Sequence, residues 1–430
     1  MSIDEWVILI IFLTTYILIF SEKISRTTAA LTGAMVSMGY GIHRGFIVES
    51  DALLFIKFDV IILLMSMMIM VNILLDTGFF GYVAVKLTQM SNGNVGHLII
   101  FLGLGTAFLS MIVDNVTTII LLIPVTIEIS KKLEMNPVPF LLSEAILSNV
   151  GGVGTMIGDP PNIIIASYSE LTFNDFLFHL LPPVLVSGFL IVLLIRFLYK
   201  DWICQGNNCM GTLLTLDPDR EITDPITMRN TLMILTVVFS LFVFHDFLGV
   251  SPAFIAISGA GATLLVNYYD PEKVLKNVEW SVLIFFASLF ILVGAMDAVG
   301  FMEDLANWTL DIAGENELIA VVIILWMTAV ITAFMDNIPF TAAIAPVIVY
   351  IGDIGEMNIE PLWWAVALGV GFGGNATPIG SSAGLITVGI SSKFGYDITM
   401  KEWLKIGLPS SIISLSIATV FIVLFWDFYS

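Results

Sequence analysis

Long apolar stretches separated by short polar segments recur along the whole chain. Each is about 18 residues or longer, which lets a helix cross a hydrocarbon core about 30 Å thick. The pattern therefore predicts ten membrane spans, of which the fourth and the ninth are long and broken. These spans are 3–21, 27–43, 58–78, 138–168, 180–199, 229–247, 249–267, 280–298, 361–391 and 408–427.

Two further apolar stretches, 97–133 and 318–352, each contain a polar pair in mid-run. The pairs are Asp114-Asn115 and Asp336-Asn337. Backbone that leaves the helix at membrane depth is tolerated only where protein or a water-filled cavity covers it. We therefore interpret each stretch as a re-entrant hairpin with its polar pair at the tip.

The composition excludes a soluble globular protein. Of 430 residues, 58% are apolar and 12% are charged, whereas soluble proteins carry roughly 25% charged residues. We therefore predict an all-α polytopic protein of the lipid bilayer. The net charge of −20 argues against a nucleic-acid partner. The sequence has no nucleotide-binding, zinc-protease or Cys/His metal motif, so we expect no enzyme activity, no cofactor and no resident metal.

The second half of the chain repeats the first. Adding 222 to a position between about 78 and 164 gives its counterpart in the second half, without a gap. Asp114-Asn115 falls on Asp336-Asn337 in this way, and Thr155 falls on Thr377. After a five-residue insertion the offset becomes 227. Two unrelated apolar sequences rarely share Asp, Asn, Pro and Gly at such positions, so the chain is predicted to be a duplication.

The basic residues indicate how the two copies lie in the membrane. Five spans per copy is an odd number, so the second copy enters from the opposite face, as in several secondary transporters. With both termini external, fourteen of the 16 basic residues are cytoplasmic, and Arg44 and Lys57 are the exceptions. We predict a first inverted repeat at 1–199, a cytoplasmic linker at 200–228 and a second inverted repeat at 229–430.

Two cysteines, Cys204 and Cys209, lie together in that linker with no histidine beside them in sequence. A cytoplasmic location favours reduced thiols. We therefore interpret them as incidental free cysteines rather than a disulfide or a metal site.

The broken spans contain the glycine-rich segments 148–162 and 369–384. Glycine costs a helix about 1 kcal/mol and an interior proline about 3 kcal/mol, whereas unwound backbone offers free carbonyl and N–H groups to ions. Close helix packing by small residues is the alternative. The predicted binding residues of the breaks and tips are Asp114, Asn115, Thr117, Gly152, Thr155, Asp159, Asn162, Asp336, Asn337, Thr341, Asn375, Thr377 and Ser381.

Carboxylates inside apolar runs are functional candidates because their insertion costs at least about 2.5 kcal/mol. Asp114 and Asp336 occupy equivalent tips, where each is a cation ligand, with Na+ possible, or a proton-binding group. The alternative is a helix cap, which does not exclude function. Glu144 exists in one copy only, since Val366 stands at its counterpart position. We interpret Glu144 as a proton carrier for coupling, with a structural carboxyl as the alternative.

The segments VDNVTTIILLIPV, SNVGGVGTMIGDPPN and MDNIPFTAAIAPV resemble the ion-transporter superfamily of arsenite permeases, NhaD-type sodium/proton antiporters and citrate or dicarboxylate carriers, and most of all its pink-eyed-dilution P protein-like members. The resemblance implies two inverted repeats, each with a re-entrant hairpin and a discontinuous helix, a homodimer, and alternating access. Carboxylate carriers of the superfamily have Ser-Asn-Thr at the tips. Asp114-Asn115-Val116 and Asp336-Asn337-Ile338 depart from this motif, which disfavours dicarboxylate transport.

Three functions are compatible with these features. The leading hypothesis is a secondary active transporter of a small ion, with Na+/H+ antiport as the first case and Na+ or H+ as coupling ion. The second is an export permease for arsenite or another small oxyacid. The third is an ion channel or a non-transporting membrane scaffold. We expect a multi-pass protein of a prokaryotic plasma membrane.

Overall fold

The computed structural model describes residues 2–21, 23–206, 217–313, 317–355 and 358–430, which form helices joined by turns and loops and contain no strand. The first half contains α1 (Ile3–Ser21), α2 (Arg26–Arg44), α3 (Asp51–Phe55), α4 (Phe58–Asp76), α5 (Phe79–Met90), α6 (Val95–Ser110), α7 (Asn115–Lys132), α8 (Val138–Val153), α9 (Pro160–Tyr168), α10 (Phe173–Leu198) and α11 (Lys200–Gly206). After a 3₁₀ helix at Pro218–Glu221, the second half contains α12 (Pro225–Val243), α13 (His245–Leu248), α14 (Pro252–Val266), α15 (Pro271–Asn277), α16 (Trp280–Ala298), α17 (Phe301–Ala313), α18 (Glu317–Thr332), α19 (Asn337–Gly355), α20 (Glu360–Gly373), α21 (Ser382–Lys393), α22 (Met400–Leu424) and α23 (Trp426–Tyr429).

The all-helical membrane fold predicted from the sequence is confirmed. Seven helices of the described chain are long and apolar enough to cross a bilayer, namely α1, α4, α10, α12, α16, α19 and α22. Six of these seven coincide with predicted spans, whereas α19 lies in the stretch 318–352 that was predicted as a hairpin. The remaining predicted spans coincide with α2, α14 and the helix pairs α8–α9 and α20–α21. Of the linker cysteines, Cys204 is exposed and free, and Cys209 lies outside the described residues.

The helix layout repeats along the chain. Helices α7, α8 and α9 begin at residues 115, 138 and 160, and α19, α20 and α21 begin at 337, 360 and 382, each 222 residues later. Helices α10 and α22 begin at 173 and 400, a difference of 227. The duplication seen in the sequence therefore extends to the order and the bounds of the helices. The inverted orientation of the two copies stays a prediction.

Two long helices begin earlier than their apolar runs suggested. The predicted spans start at 180 and 408, whereas α10 starts at Phe173 and α22 at Met400. Each is preceded by a capping box: Thr172 with Asp175, and Thr399 with Glu402. Reciprocal hydrogen bonds in such a box satisfy backbone N–H groups at a helix start. Polar capping residues therefore extend these helices beyond the apolar span.

Helices α5 and α17 are the longest of the described helices that were not predicted from the sequence. Each follows a glycine with positive φ, Gly78 at +81° and Gly300 at +84°. Because L-residues with a side chain rarely adopt this backbone conformation, these glycines allow a sharp turn directly after α4 and α16. The turns recur at the same place in both copies, since 78 and 300 differ by 222.

The discontinuous helices form the centre of the protein. All residues of α8 are buried, and so are those of α20 from Pro361 onward. By contrast, only 22% of the residues in the apolar segment of α1 are buried, and 28% of those in the apolar segment of α12. Helices α8 and α20 are therefore enclosed by other helices, and their breaks lie in the protein interior.

The glycines of the breaks have two separate roles. Gly152 lies against the carbonyl of Gly158, so that a Cβ added to Gly152 would lie 2.8 Å from this oxygen. A Cβ added to Gly374 would likewise lie 2.7 Å from the carbonyl oxygen of Gly380. These four glycines let the chain fold back on itself within each break. Two other glycines allow close helix packing. At Gly151 the backbone of α8 lies against that of α6, and at Gly373 the backbone of α20 lies against that of α18.

This packing predicts the effect of adding one methyl group. A Cβ on Gly151 would overlap the Ala107 backbone, and one on Gly373 would overlap that of Ala329. We expect Gly151→Ala and Gly373→Ala each to lower the free energy of unfolding by about 1–3 kcal/mol, as overpacking does. The measurement is the thermal midpoint of the purified protein in detergent.

Gly261→Ala is the matched control for these two variants. Gly261 lies within α14 and has no atom near its open Cβ position. The same substitution should raise stability there by up to about 1 kcal/mol, because alanine is the better helix former. Equal thermal midpoints for Gly151→Ala, Gly373→Ala and Gly261→Ala would contradict the close packing of α8 against α6 and of α20 against α18.

Candidate functional site

The two hairpin tips place their acids as helix caps. Asp114 Oδ1 accepts from the backbone N–H of Thr117 at 2.9 Å, and Asp114 Oδ2 accepts from the Thr117 hydroxyl at 2.7 Å. Asp336 Oδ1 accepts from the backbone N–H of Ile338 at 3.1 Å. Since N-terminal N–H groups of a helix lack intrahelical acceptors, these bonds fix the tips at the starts of α7 and α19.

The asparagines beside these acids converge on one buried carboxylate. Asn115 Nδ2 donates to Asp159 Oδ1 at 3.2 Å, and Asn337 Nδ2 lies 3.3 Å from both carboxylate oxygens. All three residues are at most 2% exposed. Asp159 directly precedes α9 in the first break, so residues of both hairpins and of one break meet here.

A fourth residue, Asn149, extends this network and was missed in the sequence. Asn149 Oδ1 accepts from Asn115 Nδ2 at 3.2 Å, and its Nδ2 donates to Asn375 Oδ1 at 2.9 Å and to Ser381 Oγ at 2.7 Å. Asn149 thereby joins the two breaks. Its counterpart in the repeat is Gly371, so a search for matching polar residues passes over it.

Asp336 has a basic partner that the sequence did not reveal. Arg26 Nη1 lies 2.6 Å from Asp336 Oδ2, and the Ser382 hydroxyl donates to the same oxygen at 2.7 Å. Arg26 begins α2, more than 300 residues away in sequence. The ion pair therefore connects the first copy to the second hairpin tip.

A cavity of about 640 Å³ lies beside the network. The hairpin residues Asp114 and Val116 line it, together with Pro160 of the first break and Ser382 of the second. Its charged lining residues are Arg26, Asp114, Glu279 and Lys393. The remaining lining is mostly apolar, so polar contacts for a solute are concentrated near the hairpin tips and at this charged group.

The other predicted binding residues bond to the protein backbone. Thr155 donates to the Met111 carbonyl at 2.7 Å, and Thr377 donates to the Ala333 carbonyl, 222 residues later in both partners. Asn162 donates to the Val153 carbonyl at 3.0 Å and the Thr155 carbonyl at 2.8 Å. The two threonines tie each break to its hairpin, while Thr341 donates to the Asn337 carbonyl at 2.8 Å within α19.

Glu144 lies within α8, apart from the carboxylate network. It is fully buried, and its Oε1 accepts from the Thr126 hydroxyl of α7 at 2.6 Å. Its Oε2 has no hydrogen-bond partner among the described residues. The structure therefore brings Asp114, Asp159 and Asp336 to one region, whereas the Glu144 side chain joins α8 of the first discontinuous helix to α7 of the first hairpin.

Sequence comparison identifies relatives over the whole chain. Residues 16–369 match the family model described as citrate transporter. An uncharacterized transporter of Mycobacterium tuberculosis is 36% identical over 419 residues, covering 96% of each chain. The P protein of Mus musculus is 30% identical over 494 residues, which cover 95% of this chain and 59% of that protein.

Comparison of folds gives a solved transporter. The crystal structure of the YdaH transporter of Alcanivorax borkumensis superposes with a TM-score of 0.54 over 85% of this chain and 86% of that one. At 15% identity this likeness concerns the fold alone. The resemblance inferred from the tip and break motifs is confirmed by the family match. The chain is therefore a multi-pass membrane protein that belongs to the citrate transporter family of the ion-transporter superfamily.

Proposed function

We propose that this protein is a secondary active transporter that couples solute movement to a cation, with Na+/H+ antiport as the leading case. The observation that carries the proposal is the buried Asp159 carboxylate, which accepts hydrogen bonds from the amides of both hairpin tips. A binding group shared by the two hairpins can respond to movement of either. That is what alternating access at a midplane site requires.

The charge of the region favours a cation. Three carboxylates, Asp114, Asp159 and Asp336, stand against the single guanidinium of Arg26, which leaves a formal charge of −2 when all are ionised. Charges buried in a membrane protein are costly unless they are paired. A bound cation at Asp159 and Asp114 would reduce this cost.

An unpartnered oxygen supports the same conclusion. Asn337 Oδ1 is buried and has no hydrogen-bond partner among the described residues. Leaving a buried acceptor unpaired costs about 1–3 kcal/mol. Amide and carboxylate oxygens are suitable ligands for a hard cation, so a Na+ ion held by Asp114 and Asp159 that also contacts Asn337 Oδ1 would satisfy this atom.

The cavity supports access from one side. Its lining includes both Asp114 and the exposed Lys393, and the basic-residue pattern assigns Lys393 to the cytoplasmic side. We infer an inward-open conformation, with both termini external, in the plasma membrane of a prokaryote. A homodimer is part of the same proposal and rests on the family resemblance.

An anionic or neutral oxyacid is the second candidate. Arg26 and Lys393 both line the cavity, and either could bind a carboxylate or an oxyanion. The family model carries the description citrate transporter, and arsenite export is the alternative that the tip motifs leave open. Asp114 and Glu279 line the same cavity and oppose a multiply charged anion.

Reconstitution into proteoliposomes tests the proposal directly. With a pH-sensitive dye inside, an inward Na+ gradient should drive proton release, and Li+, K+, arsenite and citrate serve as competing substrates. We expect a Na+-dependent and saturable pH change, which a channel or a scaffold would not give. Uptake of arsenite or citrate without any pH response to Na+ would contradict Na+/H+ antiport.

Asp114→Asn separates the charge of the tip from its role as a cap. Asparagine is as good an N-cap as aspartate, so the hydrogen bond from Thr117 should persist and the protein should keep its thermal midpoint. Na+-dependent flux should fall at least about tenfold, since a tenfold loss is about 1.4 kcal/mol and a nearby charge pair contributes more.

Asp224→Asn is the matched control for this variant. Asp224 caps α12 through bonds from Ile226 and Thr227 and does not line the cavity. It should leave flux unchanged while altering the same chemical group at a helix start. Wild-type flux in Asp114→Asn would leave Asp114 as a cap alone.

Glu144→Gln tests the proton carrier. Glutamine keeps an oxygen that accepts from Thr126, so the packing of α7 against α8 should remain. Because the amide cannot exchange a proton, proton-coupled flux should be lost, and any remaining substrate flux should no longer depend on pH. Flux is measured at several pH values beside the thermal shift that substrate produces.

A structural glutamate gives a different result. The thermal midpoint and substrate binding of Glu144→Gln would then fall together, and the remaining flux would keep its pH profile. An unchanged pH profile with full flux would remove Glu144 from the mechanism.

A further inference from the structure

The two hairpin tips carry the same acid in unequal surroundings. The carboxylate of Asp114 is bonded within its own hairpin, by Thr117, and no ion pair to it occurs among the described residues. Asp336 instead meets the Arg26 guanidinium at 2.6 Å, and its side chain is only 5% exposed. One tip of a duplicated site is thus already paired with a positive charge.

The positive charge of Arg26 has no counterpart at the equivalent position of the second copy. Helix α2 begins with Arg26 after the N-cap Ser25, whose side chain accepts from Thr28 N–H. Helix α14 begins with Pro252 after the N-cap Ser251, whose side chain accepts from Phe254 N–H. The two serine caps align the helices, so proline stands where the first copy has arginine. Proline cannot supply a cation to Asp114.

The ion pair between Arg26 and Asp336 persists at physiological pH because of the chemistry of arginine. A guanidinium stays protonated at any physiological pH and binds carboxylates in a fixed geometry. Arg26 is attached to the chain, so it does not cross the membrane with the solute. The hydroxyl of Ser382 completes the coordination of the same carboxylate oxygen, Asp336 Oδ2, at 2.7 Å.

We propose that Arg26 is a built-in cation at the second hairpin tip, which leaves a single exchangeable cation, bound on the side of Asp114 and Asp159. This inference rests on the proposed cation coupling. It identifies Arg26 as a residue that determines how many coupling ions are bound. A transporter with two equal acidic tips would bind two cations, and this chain binds one.

The test counts bound Na+ per chain. The full chain is purified in detergent, and radioactive Na+ is measured at saturation by equilibrium dialysis. Wild type should bind one Na+. Arg26→Gln removes the positive charge without removing the side chain, so Asp336 becomes free to bind a second Na+. Arg26→Lys is the matched control, because it keeps the charge and should bind one.

The double variant Arg26→Gln with Asp336→Asn assigns the additional ion. It should bind one Na+ again, since the carboxylate that received the second ion is gone. A folded Arg26→Gln protein that binds as many Na+ ions as wild type would overturn the proposal. Size-exclusion profile and thermal midpoint establish that this variant is folded.

If Arg26→Gln does not fold, the single variant Asp336→Asn still tests the proposal. If Arg26 is the cation of this tip, the number of bound Na+ ions stays at the wild-type value. Loss of one Na+ would show that Asp336 binds an exchangeable ion and would overturn the proposal.

Failure of the proposed function gives a separate result. Wild type then binds no Na+ at all, which contradicts Na+ coupling. A gain of one Na+ in Arg26→Gln over wild type would still support Arg26 as the built-in cation, and no gain would overturn it.

Discussion

The cost of placing a carboxylate in an apolar interior determines how the two halves of this protein meet. Asp159 lies in the first break, and the amides of Asn115 and Asn337 donate to it from opposite hairpins. Leaving a buried polar group without its hydrogen-bond partner costs about 1–3 kcal/mol, and more when the group is charged. One carboxylate thereby holds elements that the chain order separates, and movement of either hairpin changes the hydrogen bonds of the same group.

The breaks of α8 and α20 are what make this arrangement possible. An unbroken helix would bond its own carbonyl and N–H groups and would keep Asp159 and Ser381 on a helical surface. Gly152 and Gly158 instead let the chain fold back, as do Gly374 and Gly380. Gly151 and Gly373 allow close helix crossings, which is the packing role raised as the alternative from the sequence. Ion binding by the unwound backbone stays a prediction.

The sequence predicted the parts of the site that the duplication repeats. The tips and breaks could be located because a polar residue in one copy matched one in the other. Asn149 and Arg26 have Gly371 and Pro252 as counterparts, so the repeat gave no signal for them. Their roles depend on contacts between residues far apart in sequence, such as Arg26 with Asp336. Helices α5 and α17 were missed because each is short and mixes apolar with polar residues, so neither contains a long apolar run.

The unmatched positions are also where the chemistry of the two copies differs. A perfect duplicate would give two equal tips, and equal tips would bind the same ion with the same strength. Substitutions such as Asp159 for Ser381 and Arg26 for Pro252 place a negative charge in one break and a positive charge at one tip. In the proposed transporter, the repeated backbone would supply a movement common to both copies, and these few unequal side chains would determine which charge is bound.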